Sequence, residues 1–266
     1  MMYDIIESVL MSLDGKNVEL YPYIPYILKD LWEIGSSADQ MIRLLDRQSR
    51  DFCNPHLKVL DLGCGKGAVA IPLAKKFGFI VRGIDAVPEF IEFAREKAIE
   101  WNVADHCQFE EGDIREYVEK CEPYDIIILG SIGPVLGNVQ QTLKILLKCL
   151  RPNGIILLDD AYIPDGSDFY HNNCLPEAQF MTQIRRSGFK ITDSIVYGAS
   201  LMLDINEDVY KKISKRAKEL MNIYPGLRYI FEDYLKSQRI ENNILENNVT
   251  CALMLIELSQ IHNENH

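Results

Sequence analysis

What the sequence lacks narrows its class before any motif is found. Its seven cysteines (Cys53, Cys64, Cys107, Cys121, Cys149, Cys174, Cys251) include no Cys-x-x-Cys pair. Zinc ribbons and dithiol motifs are therefore excluded, and the thiols read as reduced. No apolar run approaches the roughly 18 residues that span a membrane. The first fifteen residues hold no Lys or Arg, so they lack the cationic lead of a secretory signal. There is no repeat, no low-complexity tract and no basic cluster. The 28 Lys and Arg are scattered against 39 Asp and Glu, for a net charge of −11, which argues against a phosphate-backbone partner. These absences predict a soluble, cytoplasmic protein with no nucleic-acid or membrane partner. The acidity mildly favours a cationic or neutral small substrate. What is present is core material: 266 residues, 47% hydrophobic and 25% charged, exclude disorder and small disulfide scaffolds. That length allows two domains, or one with additions.

The apolar spacing divides the chain into three zones. Residues 1–56 read as a helical head. Ile5, Ile6, Val9, Leu10 and Leu13 mark one helix, a second covers Ile24 to Ile34, and Ser37 with Gln40 fits a capping box ahead of a third. From Leu57 to Tyr197, short apolar runs alternate with amphipathic stretches, as in parallel βαβ units. Strands are expected at 58–62, 80–84, 107–110, 125–129, 154–158 and 190–196. Residues 206–248 read as a helical hairpin turning at Tyr224-Pro225-Gly226, inserted before a last strand at 249–258.

The sharpest local signal is Asp61-Leu-Gly63-Cys64-Gly65-Lys66-Gly67, where a buried strand runs into a glycine-rich turn and a helix. The glycines permit positive φ and close backbone approach, and the helix N-terminus offers N–H groups to a ligand. The third glycine comes one residue too early for a dinucleotide fingerprint, and no Ser or Thr follows Lys66 as a phosphate loop requires. The segment resembles motif I of the class I S-adenosylmethionine-dependent methyltransferases.

That resemblance implies a Rossmann-like α/β fold: a seven-stranded sheet, mostly parallel with the last strand antiparallel, and helices on both faces. The helical head and the insertion would be added to it. It implies S-adenosylmethionine as cofactor, S-adenosylhomocysteine as product, and a small-molecule acceptor. By the same resemblance Asp85, with Ala86, would accept hydrogen bonds from the ribose hydroxyls. Gly112-Asp113-Ile114 would meet the adenine, and Gly130-Ser131 would lie by the methionine portion. The cofactor set is thus Asp61, Gly63, Cys64, Gly65, Gly67, Asp85, Ala86, Gly112, Asp113, Ile114, Gly130 and Ser131. Singly, Asp85 or Asp113 also suits a solvated strand-end carboxylate.

No catalytic constellation stands out, because an activated methyl needs positioning more than a signature residue. Asp159, Asp160, Tyr162 and His171, after the fifth strand, are base or substrate-orienting candidates, and the same stretch also reads as a solvated loop. Metal-dependent relatives need an acid after the fourth strand. Gly130 and Ser131 stand there, so no metal is expected. Tyr21, Tyr23, Tyr26 and Trp32 suit a lid whose rings contact a cation. A homodimer through the head or insertion is a further expectation. The alternatives are a non-catalytic S-adenosylmethionine-binding or regulatory protein and, ranked behind it, an NAD(P)-dependent oxidoreductase.

Overall fold

Strands form where runs of Val, Ile and Leu interrupt the amphipathic stretches, in a computed structural model that describes residues 5–50 and 52–259. The first four residues of the expected head and the last seven of the chain lie outside the described residues. The head comprises α1 (Ile5–Ser12), α2 (Ile24–Ile27) and α3 (Ala38–Asp46). The alternating region follows as β1 (Lys58–Leu62), α4 (Ala70–Phe77), β2 (Ile80–Asp85), α5 (Pro88–Glu100), β3 (Cys107–Glu111) and α6 (Ile114–Lys120). It continues through β4 (Tyr124–Gly130), α7 (Val139–Leu146), β5 (Leu150–Tyr162), α8 (Glu177–Arg186) and β6 (Phe189–Val196). The hairpin α9 (Ala199–Ile223) and α10 (Arg228–Asn247) precedes β7 (Thr250–Leu258).

The sheet order is β3-β2-β1-β4-β5-β7-β6, with β7 antiparallel to both its neighbours and every other pairing parallel. This is the expected Rossmann-like arrangement. Strand order reverses between β1 and β4, and open α/β sheets bind ligands in the crevice at such a point. Both faces of the centre are covered. Ile126 and Ile128 pack with α3, α4 and α5, while Ile127 and Leu129 pack with α6, α7 and α8. That explains the unbroken apolar runs of these strands. A third cluster joins the head to α9 and α10 through Ile24, Ile27, Leu28, Ala217, Leu220 and Phe231, and reaches Val87 and Phe90 beside β2.

Three expectations are corrected. The helix expected over Ile24–Ile34 ends at Ile27, where the chain tightens into i→i−3 bonds (Lys29 N–H to Tyr26, Leu31 N–H to Leu28) and the Leu28 and Leu31 carbonyls accept from the Lys66 ammonium at 2.6 and 2.7 Å. Ser37 occupies the N-cap of α3, but its side chain makes no capping bond, so the expected box does not form. The insertion begins at Ala199, seven residues before the expected start, with extended Gly198 as its N-cap. Cys121 and Cys149 are also not both reduced thiols: they form a disulfide between the end of α6 and the approach to β5, with Cα atoms 5.8 Å apart. Pro72 is the third residue of α4, within the first turn, where its missing N–H costs little.

Candidate active site

The chain leaves β1 at Asp61 and is at once pinned to β2, since the N–H groups of Gly63 and Cys64 donate to the Ile84 carbonyl at 2.8 and 3.0 Å. Asp85 completes the clasp: one carboxylate oxygen accepts from the Gly65 N–H at 2.8 Å, the other from the Val87 N–H at 2.9 Å. Gly67 has φ of +71°, and a Cβ there would lie 2.9 Å from the Phe109 ring, so this glycine serves close packing of the helix on β3. A Cβ on Gly65 would meet only Ile34, at 3.9 Å, so this turn borders open space.

That space is a cavity at the carboxyl ends of β1, β2 and β4, and every residue of the expected cofactor set except Gly67 lines it. Asp61 is 3% exposed, and its Oδ2 has no hydrogen-bond partner among the described residues. Burial, then the neighbouring Asp85 charge, pushes its carboxyl up to about 7. Burial also raises Asp85, against the pull of its backbone N–H donors. Two adjoining buried carboxylates with no cation between them favour a positively charged ligand.

Asp113 lines the cavity and is also held by its own helix. It caps α6 by accepting from the Arg115 N–H at 2.8 Å, and the Arg115 guanidinium holds both its oxygens at 2.6–3.0 Å. Burial raises its carboxyl, but the Arg115 bonds and charge outweigh this and leave it below the usual range. Its carboxylate is thus engaged by Arg115, whereas the resemblance assigned it to an adenine amino group.

The head forms the roof. Ile5 and Val9 of α1 and Leu13 just beyond it line the cavity. Lys66 leaves the glycine turn to reach the Leu28 and Leu31 carbonyls, with its ammonium 5.4 and 5.1 Å from the Phe90 and Phe93 rings. Burial lowers it to about 8. In return the Trp32 indole N–H donates to the Lys66 carbonyl at 3.0 Å. Of the four head aromatics, only Trp32 lines the cavity. Tyr26 instead donates to Glu219 at 2.7 Å, Tyr23 packs edge-on against Phe231, and Tyr21 joins the head cluster.

None of the four catalytic candidates lines the cavity. Asp159 lies just behind it, 5% exposed, accepting from the Tyr197 hydroxyl at 2.7 Å. Asp160 accepts from the Ala161 N–H, Tyr162 is buried against Phe180, and His171 stacks on Phe169 in the loop after β5. Sequence reasoning missed Lys66, which it weighed only against the phosphate-loop pattern, and also Ser36 and Tyr197, which carry no local signal. Ser36 reaches Ser131 across the cavity wall, Oγ to Oγ 3.2 Å. Two glycines allow this approach: a Cβ on Gly130 would sit 3.0 Å from the Ser36 Oγ, and one on Gly35 would sit 3.1 Å from the Ser131 Cβ.

A model of the methyltransferase domain matches residues 54–245, and the chain belongs to that family. Among curated relatives, a ubiquinone biosynthesis O-methyltransferase of Rickettsia akari is 39% identical over 102 residues, which are 38% of this chain and 39% of the relative. A malonyl-[acyl-carrier protein] O-methyltransferase of Halalkalibacterium halodurans is 28% identical over 149 residues, 54% and 51% of the two chains. The chain spans about half or less of the length of these relatives. In fold, it is similar to a SAM-dependent methyltransferase from Geobacter sulfurreducens crystallised with S-adenosyl-L-homocysteine. The TM-score is 0.74 at 18% identity, over 90% of this chain and 98% of that one. The [4+2]-cyclase SpnF has the same fold, with a TM-score of 0.68 at 14% identity over 94% of each chain, so the fold alone does not name a reaction.

Proposed function

We propose that this chain is an S-adenosylmethionine-dependent methyltransferase acting on a small-molecule acceptor, with S-adenosylhomocysteine as second product. The observation that carries this reading is the buried Asp61 carboxylate. It has an unpartnered oxygen on the cavity wall, beside Asp85 and an open glycine turn. When bound, the cofactor supplies a methyl group already activated on a sulfonium. The chain's part is to hold and orient. Asp61 offers charge to a cationic group, and Asp85 keeps acceptor lone pairs for a vicinal diol while it fixes Gly65. The turn from Gly112 to Ile114 offers backbone to an adenine. Residues 1–56 act as a lid on the unit formed by 57–266, with Lys66 fastening the two. Alignment and exclusion of water then account for much of the rate. The net charge of −11 supports a small acceptor over a nucleic acid.

Calorimetry with S-adenosylmethionine and S-adenosylhomocysteine tests this directly. The wild-type chain should bind both and Asp85→Ala should bind neither well. A wild-type chain that ignores both ligands, or that binds NADH tightly instead, overturns the reading.

A further inference from the structure

Past the cofactor residues the cavity is bounded by Ile5 and Val9 of α1, by Leu13 just beyond it, and by Ile132 and Val135 after β4. Two cations touch it, and both are committed: Lys66 to two head carbonyls and Arg115 to Asp113. The residues outside the described ones include no Lys or Arg. Among the described residues, a phosphate or carboxylate carried away from the reacting oxygen would therefore meet no uncommitted side-chain cation, at a heavy desolvation cost. The polar side chains of this end are hydroxyls: Ser8 and Ser12 on the α1 side, and Ser36 paired with Ser131 opposite. Behind them is Asp159, a buried carboxylate that the cofactor set does not use. It takes a hydrogen bond from the Tyr197 hydroxyl at 2.7 Å, and burial raises its carboxyl while Tyr197 and the neighbouring Ser36 hydroxyl, itself 3.2 Å from the Ser131 Oγ, pull it down. Asp160 beside it, the Cys251 thiol of β7, the Tyr197 hydroxyl after β6 and Ser36 of the head are the titratable and polar groups that face it. Among the described residues, no Lys or Arg pairs with Asp159.

We propose that the acceptor is an uncharged, largely apolar molecule with a hydroxyl, such as a phenol, and that Asp159 receives its proton through Ser36. This rests on the methyltransferase reading. In the step, an acceptor oxygen lone pair forms the C–O bond as the C–S bond breaks and its pair stays on sulfur. The acceptor proton passes to the Ser36 oxygen while the Ser36 proton passes to Asp159. The sulfonium charge and the carboxylate charge cancel, so no charge is left in the apolar end of the cavity. Asp159 is thus a positioning residue that acts through Ser36.

The test uses the full chain with labelled S-adenosylmethionine and two probes: 4-methylphenol, un-ionised at neutral pH, and 4-nitrophenol, largely ionised at pH 8. Wild type should methylate both. Asp159→Asn and Ser36→Ala should lower kcat on 4-methylphenol about 100-fold, the usual reach of a base, with KM nearly unchanged. On 4-nitrophenol, which has already lost its proton, the loss should be slight. Tyr197→Phe should show the same selectivity at smaller size. In infrared titration, the acid carbonyl band that vanishes in Asp159→Asn should change its midpoint in Ser36→Ala and Tyr197→Phe. The proposal is overturned by equal losses on both phenols, by no loss on either, or by an unmoved infrared midpoint. It is also overturned if a chain that binds S-adenosylhomocysteine methylates only phosphoethanolamine or malonate, or none of these probes. Absence of S-adenosylhomocysteine binding by wild type instead sinks the methyltransferase reading itself.

Discussion

The two ends of the cavity are built in opposite ways. The end at β1 and β2 is local: Asp61, the glycine turn and Asp85 are brought together by two adjacent parallel strands and pinned by backbone bonds to Ile84 and Asp85. The end at β4 is assembled from afar. Ser36 of the head meets Ser131 across 95 positions, Tyr197 reaches Asp159 across 38, and α1 roofs both ends. The local end is charged and carries sequence signatures. The distant end is apolar, with neutral hydroxyls in front of one buried acid. The first construction carries most of the expected cofactor residues, and the second joins Gly130 and Ser131 to groups contributed by the head.

The largest effect that sharpens this contrast lies inside the local end. Gly67→Ala must fit a Cβ 2.9 Å from Phe109 at a φ of +71°, whereas Gly65→Ala faces only strain at a φ of +50°. Urea unfolding should show a loss of about 3 kcal/mol for the first and about 1–2 kcal/mol for the second. Equal losses would erase the division between packing glycine and cavity glycine.

Next comes the charge of Asp61. Burial raises its folded-state value to about 7, above the 3.8 of an ordinary aspartate. Between these values the folded chain holds the proton that the unfolded chain has lost, so the stability of the ligand-free protein falls as pH rises through this window. A cationic ligand prefers the ionised carboxylate. S-adenosylmethionine affinity should therefore weaken by up to about tenfold per pH unit below about 7. Asp61→Asn should flatten both slopes. A wild-type affinity independent of pH between 5 and 8, by calorimetry, would remove Asp61 from the cation site.

The seam between the two ends is weaker. Lys66→Met removes the ammonium that donates to the Leu28 and Leu31 carbonyls, leaving Leu28 only the Leu31 N–H, and should cost about 2 kcal/mol. S-adenosylhomocysteine should dissociate faster, by stopped-flow detection of Trp32 and Trp101 fluorescence. An unchanged off-rate would show that the head does not govern access. The smallest effect is expected far from the cavity. Arg47 pairs with Asp193 at 2.6 Å, but its side chain is 45% exposed, so Arg47→Met should cost below about 1 kcal/mol and leave ligand binding alone.

Much of the local end was legible in the sequence because its determinants are neighbours in the chain. An acid, three alternate glycines and a strand-end Asp report a strand-to-helix turn that needs positive φ and a carboxylate beside it. The head was read less well. Its second helix ends early, and a lysine nearly forty residues away binds the carbonyls just past that end. Asp113 shows the converse: its position fits the family pattern, yet Arg115, two residues on, engages the carboxylate. Asp159 was singled out as one acid of a polar stretch, and the sequence held no sign that Tyr197 and Ser36 would close on it.

The sequence by itself determined the strand segments of a doubly covered sheet, the place of its glycine turn and the two acids beside it. Periodicity and short-range turn chemistry carry that information. Only the tertiary structure decided which surfaces face each other across the cavity. It placed the head over the turn through Lys66, paired two serines through glycines that leave room for them, and set Asp159 one layer behind the wall. Those contacts join residues with no common local pattern, and they exist only once the core has brought the segments within hydrogen-bond reach.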